Sequence, residues 1–369
     1  MTTSNALLDQ KDSQVETPFL KAAKATRTVL WNDSSDPNEL ARSIEFGAVG
    51  ATCNPVIALA TIKSNLGRWK ERLEGIAAEN PTASLAEIGW LAVEALSIEA
   101  AQLLEPIFYR TGGRDGRLSI QTDPRLHRSV AAIVEQAVHF SELAPNIIVK
   151  IPATSVGILA IEEATYRGVS INVTISFSVS QAIAGAEAIE RGLNRRSAEG
   201  LPAREFGSVV TIMGGRLDDW LKHCAGRDRV LFDPGYFEWA GVATIKRAYE
   251  IFVERGYRSR ILSAAFRNHM QWSELVGGDL VVSPPFDWQL RINENSIPVE
   301  NRIGVPVDPT IFKALHSRLP DFRRAYEVDG LSIHEFDDFG PTRRTLRQFL
   351  GATAELEALV RDVLLPDLG

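Results

Sequence analysis

The sequence predicts an α/β protein: a (β/α)8 TIM barrel with extra helices and a C-terminal helical appendage. Eight short runs rich in β-branched residues recur over the first 285 positions, and a helix-like stretch follows each one. Strands alternating with helices imply a parallel sheet, and a chain of 369 residues can close one into a barrel with material to spare. An open doubly wound sheet is the alternative, but no Gly-rich dinucleotide fingerprint follows the first strand. The expected organisation is an N-terminal arm over 1–26, a catalytic barrel over 27–296 and a partly helical extension over 297–369.

The arm is polar, with one or two weak helical turns. Strand one is Thr28–Asp33, and a helix begins near Pro37, for which Asp36 is a good N-cap. The short strand Gly50–Cys53 is closed by Asn54-Pro55; the helix after it and a longer one over 84–105 form the second connection. Strand three is Gly116–Gln121, with a helix from Pro124 to about Leu143. Strand four contains Ile147–Ile151 and leads to a helix near Ser155. Strand five, Ser170–Ser176, precedes a helix over Ser178–Asn194. Strand six is Gly207–Met213, with helical material over 216–224 and 240–256. Strand seven, Arg258–Ala265, has a helix after Asn268; strand eight, Asp279–Ser283, has one from Pro285. In the appendage, Arg344–Leu365 repeats apolar residues at helical period, a face that packs on the barrel or on a partner subunit, which leaves a homo-oligomer open.

Composition excludes several classes. The chain is 45% hydrophobic and 24% charged, as in ordinary globular proteins, with a net charge of -7 and no basic block, which argues against a nucleic-acid partner. Cys53 and Cys224 are too few for a disulfide framework or a four-thiolate metal site. No apolar stretch reaches the length of a membrane span, and the N-terminus lacks a signal-peptide pattern. A cytoplasmic enzyme with reduced thiols, acting without a membrane, is expected.

Lys150 is the most informative residue, because it interrupts the apolar run Ile147-Ile148-Val149-Lys150-Ile151. An ammonium buried in such a strand sheds its proton more readily, and a neutral amine attacks carbonyl carbon. Lys150 therefore reads as a Schiff-base lysine; a lysine at a strand end snorkelling to solvent is the plainer reading. Strand five alternates strictly from Ile171 to Ser178. In a barrel Ile171, Val173, Ile175 and Phe177 face the helices, while Asn172, Thr174 and Ser176 line the interior. Other strand ends carry Asp33, Asn54, Gln121, Arg216 and Arg267, where catalytic groups of such barrels gather. Helix capping is an alternative for Asp33 and Asn54 individually, and a surface ion pair for either arginine.

Taken in order, these segments resemble the transaldolase family. The resemblance is carried by Gly50–Pro55, Gly116–Ser119, Asn146–Thr154, Ile171–Ser178, Gly215-Arg216 and Ala265–Asn268, and runs from about residue 28 to 285. It implies a class I aldolase mechanism on sugar phosphates, with no metal and no cofactor. Lys150 matches the Schiff-base lysine and Asp33 the general acid/base that takes the C4 hydroxyl proton. Asn54 and Asn172 match residues that hold dihydroxyacetone hydroxyls, Thr174 one that holds the catalytic water, and Arg216 and Arg267 the phosphate clamp.

Some positions depart from that pattern. Gln121 stands where the family carries a glutamate that relays a proton through water, and an amide orients water without exchanging its proton. The sister group, the fructose-6-phosphate aldolases, has glutamine there and a tyrosine where Met213 aligns; transaldolases mostly have phenylalanine. Thr211 and Ala265 each replace a serine, and Cys53 a threonine. The expected activity is transfer of dihydroxyacetone from sedoheptulose 7-phosphate or fructose 6-phosphate to an aldose phosphate. The alternatives are an aldolase, a transaldolase for an unusual sugar, and a catalytically silent barrel.

Overall fold

The computed structural model describes residues 16–202, 207–295 and 297–366. Eight parallel strands close in sequence order: β1 Val29–Asn32, β2 Ala48–Thr52, β3 Arg117–Gln121, β4 Ile147–Pro152, β5 Ile171–Thr174, β6 Val209–Ile212, β7 Arg260–Ala264 and β8 Val281–Ser283. β8 pairs with β1, so no edge is left open. The barrel is as expected.

Helices begin where the sequence supplies caps. α1 is Pro18–Ala25, α2 Pro37–Glu45, α3 Pro55–Ser64, α4 Leu66–Glu79 and α5 Leu85–Arg110. Asp36 caps α2 by accepting from Asn38 and Glu39, and Ser84 with Glu87 forms a capping box on α5. α6 is Val130–Glu142, α7 Ser155–Tyr166, α8 Val179–Ala198, α9 Gly214–Arg227, α10 Pro234–Phe237, α11 Ala240–Arg255, α12 Met270–Ser273 and α13 Phe286–Glu294. The helix expected from Pro124 is in fact a 3-10 turn over Pro124–Leu126, and α6 starts only after Ser129 caps it. Strand five stops at Thr174 instead of Ser176, because Ile175 turns at φ 50°, a conformation costly for a β-branched residue. Of the expected polar arm, residues 1–15 lie outside the described residues; α1 follows and buries Phe19 and Ala22.

Strand alternation divides the barrel interior into a dry floor and a polar upper layer. Trp31, Ile148, Val209, Leu262 and Val281 form the buried floor. Gly50 makes room for Trp31, since a Cβ there would lie 2.5 Å from the indole. Two residues further along the same strands, on the same face, come Asp33, Thr52, Lys150, Thr211 and Ser283. Facing outward, Val173 packs against Gly185 of α8.

The C-terminal segment holds α14 Pro309–Arg318, α15 Pro320–Tyr326, a 3-10 turn over Ile333–Asp338 and α16 Gly340–Leu364. α16 lies along the barrel's helical layer, where Gly89 of α5 lets Leu356 and Val360 approach. Its start reaches the strand ends: Gln181 donates to Thr342 Oγ1 at 3.3 Å and to the carbonyls of Ala153 and Ile175. Asp337 accepts from the N–H and hydroxyl of Ser155 at the head of α7. Among the described residues no helix is long and apolar enough to cross a membrane.

Candidate active site

Lys150 pairs in register with Gln121 on β3 and Asn172 on β5, at the centre of the polar layer. It is only 5% exposed, and no described residue offers its Nζ a hydrogen bond or an ion pair. Burial pushes its pKa down; the Asp33 carboxylate pulls the other way, and Arg216 adds to the downward push. A second buried lysine shows the contrast. Lys246 Nζ donates to Glu274 at 3.0 Å and to the carbonyls of Arg302 at 2.9 Å and Val305 at 2.6 Å, which saturates its three donors. One amine is saturated, and the other has no hydrogen-bond partner among the described residues.

Around Lys150 the polar side chains hold one another in place. Asp33 accepts from Thr52 Oγ1 at 2.5 Å and, at the end of β1, does not cap α2. Asn172 donates to Ser119 Oγ at 3.0 Å and accepts from Thr211 Oγ1 at 2.7 Å, so three neighbouring strands fix one amide. Asn54 caps α3 through its Oδ1, which accepts from Val56 and Ile57; its NH2 end is not used for capping. Gln121 is 2% exposed, and neither its Oε1 nor its Nε2 finds a partner among the described residues. A buried amide in that condition calls for a water or a ligand group. Thr174 is buried one pleat above Asn172. Met213 is buried where α9 begins, so a thioether stands at that corner.

The two arginines come from the next elements round. Arg216, on the first turn of α9, donates through Nη1 to Gln348 Oε1 at 2.6 Å and Thr345 Oγ1 at 3.2 Å, with its guanidinium over the Phe349 ring. Burial, then the neighbouring Arg267, bring its pKa down to about 10, so it stays charged at neutral pH. Arg267, after β7, pairs with Asp219 at 2.8 Å in a half-exposed setting, so the surface ion pair expected as its plainer role is present. Both arginines line a cavity of about 340 Å³ with Asp219, Pro341, Arg344, Thr345 and Gln348. Cys53 is buried, accepts from Ser35 Oγ at 3.1 Å, and burial pushes its thiol pKa up. Among the described residues no three His, Cys, Asp or Glu side chains cluster to hold a metal.

Thr52, Ser119 and the α16 residues Arg344, Thr345 and Gln348 were not singled out from the sequence. Thr52 shares a strand face with Asn54, so the alternation rule used on strand five would have found it. Nothing local marks the α16 residues, because the hydrogen bond joins positions 129 apart.

Comparison with known proteins places the chain among relatives of one family. The family model described as Transaldolase/Fructose-6-phosphate aldolase matches residues 30–303. "Transaldolase 1" of Streptomyces coelicolor is 34% identical over 257 residues, covering 68% of this chain and 65% of that protein. "Transaldolase 1" of Streptomyces avermitilis is 35% identical over 211 residues, covering 56% and 54%. "Transaldolase" of Thiobacillus denitrificans is 33% identical over 242 residues, covering 61% and 64%. The chain thus spans between about half and two thirds of the length of the curated relatives it matches.

Proposed function

The chain belongs to the transaldolase/fructose-6-phosphate aldolase family, and from that premise we propose that it is a transaldolase moving a dihydroxyacetone unit between sugar phosphates. The observation that carries this reading is the buried Lys150 amine with its lowered pKa and no partner among the described residues.

In the proposed reaction Lys150 Nζ attacks the C2 ketone of sedoheptulose 7-phosphate or fructose 6-phosphate, and loss of water leaves a protonated imine. Thr174 and the unpartnered Gln121 amide hold that water. Asp33, oriented by Thr52, takes the C4 hydroxyl proton. The C3–C4 bond breaks, its electron pair passes into the imine, and the aldehyde departs. The dihydroxyacetone unit stays on Lys150 as an enamine, its hydroxyls held by Asn54 and Asn172, until an aldose phosphate collects it. Thr211 steadies Asn172, and Met213 closes the corner with apolar surface. Arg216 and Arg267 clamp the phosphate, a task suited to planar guanidinium groups. A cytoplasmic location is part of the proposal, supported by the free thiols of Cys53 and Cys224.

A second reading is favoured by Gln121 and Met213: the same Schiff base, but an aldolase that releases dihydroxyacetone, or a transaldolase for an unusual sugar. One experiment separates the readings. Borohydride reduction with fructose 6-phosphate should fix a mass adduct on Lys150, and erythrose 4-phosphate should be converted faster than free dihydroxyacetone appears. Acceptor-independent release at a comparable rate selects the aldolase, and absence of any adduct on Lys150 removes both.

A further inference from the structure

Arg216 and Arg267 line one cavity although they belong to different β/α units, so their spacing depends on how α9 sits against the turn after β7. That packing is tight. A Cβ on Gly215 would lie 2.0 Å from the Ala265 carbonyl oxygen and 2.7 Å from Arg267 Cγ, and Ala265 itself turns at φ 63°. Beside it, Asp218 on α9 is fully buried and no described cation pairs with it. Its Oδ1 accepts from the Gly241 N–H at 2.7 Å and its Oδ2 from Gln271 Nε2 at 2.8 Å. Gln271, equally buried, accepts through Oε1 from the Arg267 backbone N–H at 2.6 Å.

A relay therefore runs from the helix that carries Arg216 to the backbone of Arg267. Its polarity is directional. Asp218 presents an acceptor, so the Gln271 amide turns its NH2 toward it, which aims the amide oxygen at the Arg267 N–H. A buried carboxyl without a cation is costly to keep, and an apolar residue would fill the same volume more cheaply.

We propose that Asp218 and Gln271 are positioning residues that set the spacing of the Arg216 and Arg267 guanidinium groups around one phosphoryl group. The inference rests on the reading of these arginines as a phosphate clamp.

The test exchanges the polarity of the relay. Asp218→Asn turns a donor toward Gln271; the amide must flip to meet it, and two N–H donors then face each other at Arg267. The double variant D218N/Q271E gives that position a carboxylate able to accept from both sides. Calorimetric titration with inorganic phosphate reads the clamp without catalysis, and fructose 6-phosphate kinetics read it in turnover. For D218N the phosphate Kd and the KM should each rise about tenfold, the cost of leaving one buried N–H donor unsatisfied at Arg267, with kcat within about threefold. The double variant should recover to within about threefold of the wild type on both readouts. Wild-type phosphate affinity in D218N, a double variant no better than the single one, or a fall in kcat at unchanged KM would overturn the proposal. If D218N does not fold, Gln271→Met removes both bonds and should raise the phosphate Kd to the same extent; unchanged affinity there overturns it equally. If the wild-type protein gives no borohydride adduct, the catalytic reading fails while the phosphate titrations still decide this one.

Discussion

Replacing Lys150 with methionine should stabilise the fold while abolishing the Schiff base. The two side chains have similar volume, so the dry floor beneath Lys150 and the strands beside it should keep their packing. What changes is the amine: buried and without a hydrogen-bond partner among the described residues, it either carries a charge that Asp33 only partly offsets or gives up its proton, and both raise the energy of the folded state. An unpaired buried charge costs about 3 kcal/mol. With an unfolding entropy on the order of 0.8 kcal/mol per degree for 369 residues, that becomes a rise in Tm of about 4 °C. The gain should depend on pH. Below the lowered folded-state pKa the amine is charged in both states and the whole penalty is present. Between that pKa and the ordinary lysine value of 10.5 the unfolded state alone binds the proton, so the penalty shrinks as pH rises. Scanning calorimetry of wild type and variant at pH 6 and pH 9 reads both effects, with borohydride trapping as the functional control. A variant less stable than wild type at pH 6, with no pH trend in the difference, would falsify the claim that this amine is desolvated.

Other predictions follow from neighbouring residues. Gln121→Glu should raise transfer activity if the missing carboxylate limits proton relay; a coupled assay showing no gain means the site is built around the amide. Arg216→Gln should raise KM for phosphorylated donors about thirtyfold, as expected when a hydrogen bond between charged groups is removed. The same change should move the acid limb of the kcat/KM profile to higher pH, because Arg216 helps lower the Lys150 pKa. An unmoved limb would separate the two groups electrostatically. Gly215→Ala should destabilise the fold by about 2 kcal/mol as α9 is forced off the turn after β7. Denaturant unfolding should show that drop, and a raised phosphate Kd should accompany it.

Much of the site could be read one strand at a time. Lys150 in an apolar run, and the alternation through Asn172 and Thr174, are local patterns with a fixed geometric meaning in a strand. Asp33, Asn54, Arg216 and Arg267 fall at strand ends or just past them, so the barrel itself directs them to one mouth. Boundaries were less legible. The 3-10 turn at Pro124 and the turn at Ile175 depend on backbone conformations that the neighbouring packing imposes. The apolar period of α16 says that it packs, on the barrel or on a partner subunit, and is silent on its reaching Arg216 through Thr345 and Gln348.

The sequence by itself determined the closed parallel barrel and the inward face on which Lys150 stands, because period-two alternation and capping residues act over a few positions. Only the tertiary structure decided that Lys150 has no partner among the described residues while Lys246 is saturated, that Gln348 and Thr345 reach Arg216, and that a buried carboxyl ties α9 to the backbone of Arg267. Those outcomes depend on which groups meet across long stretches of chain, and local periodicity carries no record of such meetings.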